Sequence, residues 1–318
     1  MRTKLYMIAL AAMTMMLGSC SDSNSEFSQD YLADTPIKLN VSVDEPTTRA
    51  GYSDADKPTG FVLDVNNNKA EKYNYLVWAK KVGDSWKTYK PDETLKGGTD
   101  EEVTMLWANM NDNVDVTAFT NIGTITIPTD QTSDDQLKEA DVLYMPFTKY
   151  TPTNKGITVN LQHAMSKINL TIELGSEYEF SEEDVDLKIT DVKIDGSSVS
   201  GDLGSGGIYD VSGDPTPITP FRTGTTPYSK TNGVITKATA TYEAILIPQT
   251  IASGKFTVSF KVDGKLYEWT YNKELTLVPT TAYTLKLTAG DDKVQPVSFS
   301  VAPWGVGNGK DGEKKETD

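Results

Sequence analysis

Apolar and polar residues alternate with period two along most of this chain, the spacing of half-buried strands. IKLNVSV at 37–43 is the first clean run, followed by FVLDV at 61–65, YNYLVWAKKV at 73–82, VTMLWA at 103–108 and VDVTAF at 114–119. ITVNL at 157–161, KINLTIEL at 167–174 and VDLKITDVKID at 185–195 continue the pattern. TYEAILIP at 241–248, KFTVSFKV at 255–262, KLYEWTY at 265–271, AYTLKL at 282–287 and VSFSV at 297–301 complete it. Asp263-Gly264, between two runs, predicts a two-residue hairpin turn, whose central positions both need positive φ. Residues 201–221 are too rich in Gly and Pro for a helix and predict a long loop with short extended pieces. Only 133–145 offers a turn or two of helix. About thirteen short strands with almost no helix predict an all-β protein of antiparallel β-sandwiches, and 318 residues suffice for two in tandem. The polar stretch at 148–156 divides them into an N-terminal domain over 36–156 and a C-terminal domain over 157–304. Residues 305–318, glycine-rich and charged, predict a disordered tail.

The N-terminus follows another pattern. Arg2 and Lys4 precede an apolar stretch at 5–17, broken only by Thr14. It is shorter than the roughly 20 residues of a membrane-spanning helix and suits the core of a signal peptide over 1–19. Leu17-Gly18-Ser19-Cys20 resembles a bacterial lipobox, which makes Cys20 the lipidated residue and acyl chains the anchor. Cys20 is the only cysteine, so no intramolecular disulfide forms. Residues 20–35 are polar and acidic and predict a disordered tether. Asp22 and Glu26 in that stretch resemble the surface-display signal of Bacteroides-type lipoproteins.

Charge and chemistry narrow the functions. The formal net charge is −15, and −17 once Arg2 and Lys4 leave with the signal. Such a surface repels nucleic acid, so no nucleic-acid partner is expected; it keeps an exported protein soluble. His163 is the only histidine, in phase with Ile157, Val159 and Leu161 on the inward face of a strand. With no second thiol, no G-x-S-x-G, no H-E-x-x-H and no P-loop, a packed structural histidine is expected rather than a catalytic one. No enzyme, metal or cofactor is expected. A calcium loop begun at Asp64 in DVNNNKAE (64–71) would place Lys69 and Tyr75 where glycine and glutamate are needed, so the stretch reads as a solvated turn.

IKLNVSV runs into DEPTTRAG, an extended loop at 44–51 that displays Arg49 before Ala50. Lipobox, tether, one strand and Thr48-Arg49-Ala50 resemble the opening of the fimbrillins, the type V pilins of Bacteroides-type bacteria. Further matches follow in family order: Ala140-Asp141-Val142-Leu143-Tyr144, then Leu161-Gln162-His163-Ala164-Met165-Ser166-Lys167-Ile168. Ile245-Leu246-Ile247-Pro248-Gln249, Ala282-Tyr283-Thr284-Leu285 and Val301-Ala302-Pro303-Trp304 complete the set. The resemblance implies two transthyretin-like β-sandwich domains on a lipoprotein exported to the cell outer membrane. It implies that an arginine-specific or trypsin-like protease cuts after Arg49, and that other fimbrial subunits donate a strand to the vacated groove. Ile37, Leu39, Val41 and Val43 are then a removable plug. Val297, Phe299 and Val301 are the candidate donor face, with an ordinary closing strand as the other reading. The resemblance leaves stalk, tip and anchor roles open. The rival reading is a monomeric, lipid-anchored surface lipoprotein that binds glycans through Trp78, Trp86, Trp107, Trp269 or Trp304; the adhesion target, glycan or protein, is not specified by sequence.

Overall fold

The computed structural model describes residues 31–43, 51–53, 55–175, 177–178, 188–203, 209–223, 228–232, 234–290 and 293–304. Alternation becomes strand almost throughout. The first half runs β1 (Leu39–Val43), β2 (Gly60–Asn66), β3 (Tyr75–Val82), β4 (Ser85–Pro91), β5 (Gly98–Glu102), β6 (Val114–Phe119), β7 (Gly123–Thr126), helix α1 (Asp134–Ala140), β8 (Leu143–Tyr150) and β9 (Ile157–His163). The second half continues with β10 (Ser166–Leu174), β11 (Ile189–Asp195), β12 (Ser198–Leu203), β13 (Tyr209–Pro215), β14 (Phe221–Arg222), β15 (Tyr228–Thr231) and β16 (Val234–Leu246). It ends in β17 (Thr250–Ile251), β18 (Thr257–Val262), β19 (Lys265–Thr270), β20 (Leu275–Thr276), β21 (Thr281–Ala289) and β22 (Val294–Pro303). The Asp263-Gly264 turn has φ of 49° and 82°, as the hairpin requires.

Two hydrophobic cores form. An eight-stranded sheet, ordered β1-β9-β8-β6-β2-β3-β4-β5, surrounds the first, with Phe61, Leu63, Val116 and Val159 fully buried. A six-stranded arrangement holds β14-β16-β10-β21-β22, with β15 also on β16. Its Leu170, Ile172 and Leu285 share the second core with Val258, Phe260 and Val262 of the sheet β11-β18-β19. Among the described strands, pairing is antiparallel except at β1 with β9 and β10 with β21.

The division between the cores differs from the polar linker expected at 148–156. That stretch connects β8 to β9, both of the first sheet, with Gly156 at φ +82° entering β9. The chain crosses to the second core after His163, inside an apolar run whose composition carries no linker signal. It also makes an earlier excursion: β7 pairs with β12, and Ile125, Ile127, Leu137 and Ala140 lie in the second core. The expected tether also ends early. Tyr31–Asp34 form a turn, and Leu32 is buried in the first core. Residues 103–108, expected as a strand, are extended with a single bridge, Leu106 to Pro36. The loop expected over 201–221 contains β13, antiparallel to β12. β5, exposed along its length, has no apolar alternation to announce it.

Gln131 shows how a loop is locked to this frame. Its side chain is fully buried. Nε2 donates to the Ile245 carbonyl at 2.8 Å and Oε1 accepts the Ile245 N–H at 2.8 Å, so the amide completes β16 as a short strand would. A Gln131→Ala substitution leaves both backbone groups unpaired and is expected to lower the unfolding free energy by about 2–4 kcal/mol. Urea denaturation at unchanged m-value measures this; a midpoint equal to wild type contradicts it.

Candidate functional site

The segment 34–43 closes the first sheet on itself. At its start, the Asp34 N–H donates to Trp107 O at 2.9 Å, Trp107 N–H to Thr35 O at 3.0 Å and Ile37 N–H to Met105 O at 2.9 Å. From Lys38 onward it bonds to the other flank: Ile157 N–H reaches Lys38 O at 2.8 Å, and Leu39–Val43 run parallel to 157–161 in register. Gly156 lies so close to this segment that a Cβ would stand 2.1 Å from Lys38 O. Ile37, Leu39 and Val41 are half-buried against the first core and Val43 is buried. Asn40 and Ser42 face outward, donating to Lys155 O at 3.0 Å and Asn160 Oδ1 at 2.9 Å. The Lys57 ammonium donates to Val41 O at 2.7 Å. Full burial of an apolar side chain contributes about 1.5–3 kcal/mol; with three of the four half-buried, Ile37, Leu39, Val41 and Val43 together contribute roughly 4–8 kcal/mol. A whole domain's stability is about 5–15 kcal/mol.

Where the chain resumes after the Arg49 loop, it is held at a buried polar cluster. The Tyr52 N–H donates to Asp141 Oδ2 at 2.8 Å. Gly51, at φ +86°, lies against the same carboxylate, where a Cβ would stand 2.3 Å from Oδ2. Asp141 Oδ1 is 2.8 Å from His163 Nδ1, with both side chains out of solvent. The imidazole stacks on the Trp304 indole at 4.1 Å between centroids and 3° between planes. Lys167, fully buried, pairs with Glu243 at 3.2 Å and stands 5.8 Å over the Trp304 ring. Burial pushes the Lys167 ammonium below the ordinary lysine range, opposed by the charges of Glu243 and Asp141. Asp141 follows α1, His163 ends β9, Lys167 is in β10, Glu243 in β16 and Trp304 follows β22. The cluster therefore ties the start of the chain beyond the Arg49 loop to the end of the closing strand.

The motifs scattered through the sequence meet here. ADVLY supplies Asp141, LQHAMSKI supplies His163 and Lys167, and VAPW supplies Trp304. Lys57, Tyr52 and Glu243 were not singled out by sequence, and Gly51 only as the end of the arginine loop; a lysine inside the run AMSKINL was the available signal for the ion pair. Cys20, Arg49 and Ala50 lie outside the described residues. In β22, Phe299 faces Tyr283 and Tyr271, at 6.2 and 5.1 Å between ring centroids. Val301 pairs with Tyr283 but is 44 % exposed, and Val297, 54 % exposed, falls in a bulge without a register partner. The three do not form one continuous buried face. Trp107 and Trp304 are core residues, Trp86 packs on Phe61 and Trp269 on Tyr271. Trp78 alone of the five lies on the outer side of the first sheet, out of phase with buried Val77 and Ala79.

Removing one partner of the buried pair leaves a charge in a dry site, so Glu243→Leu is expected to cost about 3–5 kcal/mol, whereas Lys167→Met with Glu243→Leu restores most of the loss. A double-mutant cycle by denaturation measures this; additive losses contradict it. The alkaline behaviour has a definite sign. Between the lowered Lys167 value and the ordinary one, the unfolded chain holds a proton that the folded chain has released, so this group adds stability as pH rises. The stability of wild type relative to Lys167→Met should climb across that window, and a flat difference contradicts the burial.

The fold has counterparts. Among solved structures, a cell adhesion protein from Bacteroides ovatus aligns with a TM-score of 0.58 at 14 % identity, covering 86 % of this chain and 98 % of its own. One from Bacteroides uniformis aligns with a TM-score of 0.53 at 17 % identity, covering 85 % and 98 %. No curated protein matches the sequence. The fimbrillin-like family model matches residues 48–304, from the arginine loop through the tryptophan stacked on His163. The chain belongs to the fimbrillin-like family.

Proposed function

We propose that this protein is a structural subunit of a cell-surface fimbria, without catalysis of its own. It is exported as a lipoprotein through Cys20 to the cell outer membrane, matured by cleavage after Arg49, and assembled by donor-strand exchange in the service of adhesion. The observation that carries the reading is the closing segment 34–43. It is bonded on one side to 105–107 and on the other to β9, yet the loop bearing Arg49 is its only covalent link onward. A cut after Arg49 by an arginine-specific or trypsin-like protease leaves it held by non-covalent contacts alone.

The retained side of the cut is prepared for it, because the Asp141 carboxylate already holds Tyr52 and admits only glycine at position 51. Loss of 34–43 opens the closed sheet and leaves an apolar groove flanked by unpaired main-chain groups, a template for another strand. A partner subunit's segment with alternating apolar residues restores both the side chains and the ladder, recognition by strand addition. β22 is the candidate donor: among the described residues it pairs only with β21, at the edge of its sheet, and Val297 and Val301 are already exposed. Its donation requires Trp304 to leave His163, which couples the C-terminal strand to the cluster that holds Tyr52.

Protein sheared from its native cells should begin at Ala50 and run as a ladder of oligomers on an unboiled gel. An Arg49→Ala form should remain lipidated at Cys20 and monomeric. A wild-type protein that starts at Cys20 and runs as one monomer band contradicts the polymer reading and favours a lipid-anchored, glycan-binding lipoprotein.

A further inference from the structure

The outer face of the first sheet carries a feature that strand exchange does not use. Trp78 projects from β3 on the side away from the core, with Leu76 and Lys80 on the same face. Its cross-strand partners there are Val62 on β2 and Tyr89 on β4. Val62 is fully buried yet belongs to neither core, so one side of the aromatic surface is used on the protein itself. The indole is admitted by two bare positions. A Cβ on Gly60 would stand 2.5 Å from Trp78 Cζ2, and one on Gly98 2.6 Å from Cδ1. Glycine within a strand destabilises it by roughly 0.5–1 kcal/mol relative to alanine. A β-branched pair at these positions would suit a sheet better, so clearing both sides of one half-exposed tryptophan calls for a reason beyond packing.

The groove beside the indole supplies one. It encloses about 390 Å³, and its wall holds Trp78, Tyr89, Thr59, Lys80, Thr99 and Asp100. Ligand sites commonly span about 300–1,000 Å³ and join an apolar surface to a few polar groups. Here the polar fringe contains donors and acceptors of both kinds, with one cation and one anion that balance. An apolar aromatic floor with a neutral hydrogen-bonding rim matches a pyranose sugar, whose C–H face is apolar and whose edge is hydroxyl. A charged ligand finds no excess of opposite charge.

We infer that the Trp78–Tyr89 groove is a glycan-binding site, with a neutral hexopyranose stacked on the Trp78 indole and its hydroxyls bonded to Thr59, Lys80, Thr99 and Asp100. The inference supplies the adhesive reading with a place and a ligand class. It does not depend on cleavage or assembly, because every residue belongs to one subunit and none is part of the closing segment.

The test uses the full chain as monomer. Methyl α-mannoside, methyl β-galactoside, N-acetylglucosamine and N-acetylgalactosamine are titrated at millimolar concentration, read by saturation-transfer NMR and tryptophan fluorescence. At least one sugar should bind, and Trp78→Ala should weaken it about tenfold, the scale of a lost aromatic contact. Asp100→Ala, an exposed rim change that leaves the fold alone, should weaken the same sugar several-fold, and Gly98→Ala should do so by displacing the indole. No binding by any of the four sugars, or equal binding by wild type and Asp100→Ala with Trp78→Ala, overturns the site. Failure of oligomer formation with sugar binding intact leaves this site standing and removes only the polymer reading.

Discussion

The first sheet closes only because one segment makes main-chain hydrogen bonds on two flanks that otherwise do not meet. Residues 34–37 bond to 105–107, and 38–43 bond to β9. A strand in that position is worth more than its half-buried side chains suggest. Removing it strips a ladder from β9, uncovers the core around Trp107 and leaves buried polar groups without partners, which is unfavourable beyond the lost apolar contact. The same geometry underlies the proposed exchange, since what the segment supplies is a main chain and a period-two apolar row.

Release of such a segment threatens the rest of the molecule unless the chain beyond the loop is fixed. The Asp141 carboxylate fixes it, receiving the Tyr52 amide on one oxygen and His163 on the other. Trp304 then covers the imidazole and approaches the Lys167–Glu243 pair. Buried polar groups of this kind contribute little net stability compared with an apolar replacement, but they specify one arrangement strictly because any misplacement leaves a charge unpaired. Both cores and the final strand meet at this cluster. The short motifs scattered along this chain are therefore pieces of one site assembled only by folding.

Much of the fold was legible because alternation reports burial on one face. β2, β6, β10 and β18 read directly from FVLDV, VDVTAF, KINLTIEL and KFTVSFKV, and the Asp263-Gly264 turn from its chemistry. β5 was illegible because GTDEE buries nothing, and β13 because its Gly-Pro context reads as loop. The passage from one core to the other was hidden for the converse reason. A polar, Pro- and Gly-bearing stretch at 148–156 is a turn within one sheet, while the chain passes between the cores in LQHAMSKINL, where every residue but Gln162 and Asn169 is buried. The closing role of 34–43 was legible only as an alternating strand before an arginine loop. Its second flank was hidden, since 105–107 lie about seventy residues away in sequence and pairing over that distance leaves no local trace. The buried Lys167–Glu243 pair left one sign in the sequence, the lysine inside AMSKINL, because Trp304, whose ring lies beside the ammonium, comes from the far end of the chain.

The central claim is that 34–43 is a separable stave whose place another strand can take. Hydrogen exchange on protein cut after Arg49 and freed of the detached segment tests it most directly. The β9 amides at 157–161 should lose protection while those of β10 and β21 keep it, and a synthetic peptide spanning 34–43 should restore the β9 protection. If β9 stays protected with the segment gone, or the peptide leaves its exchange unchanged, the closing segment is not a plug and the account fails.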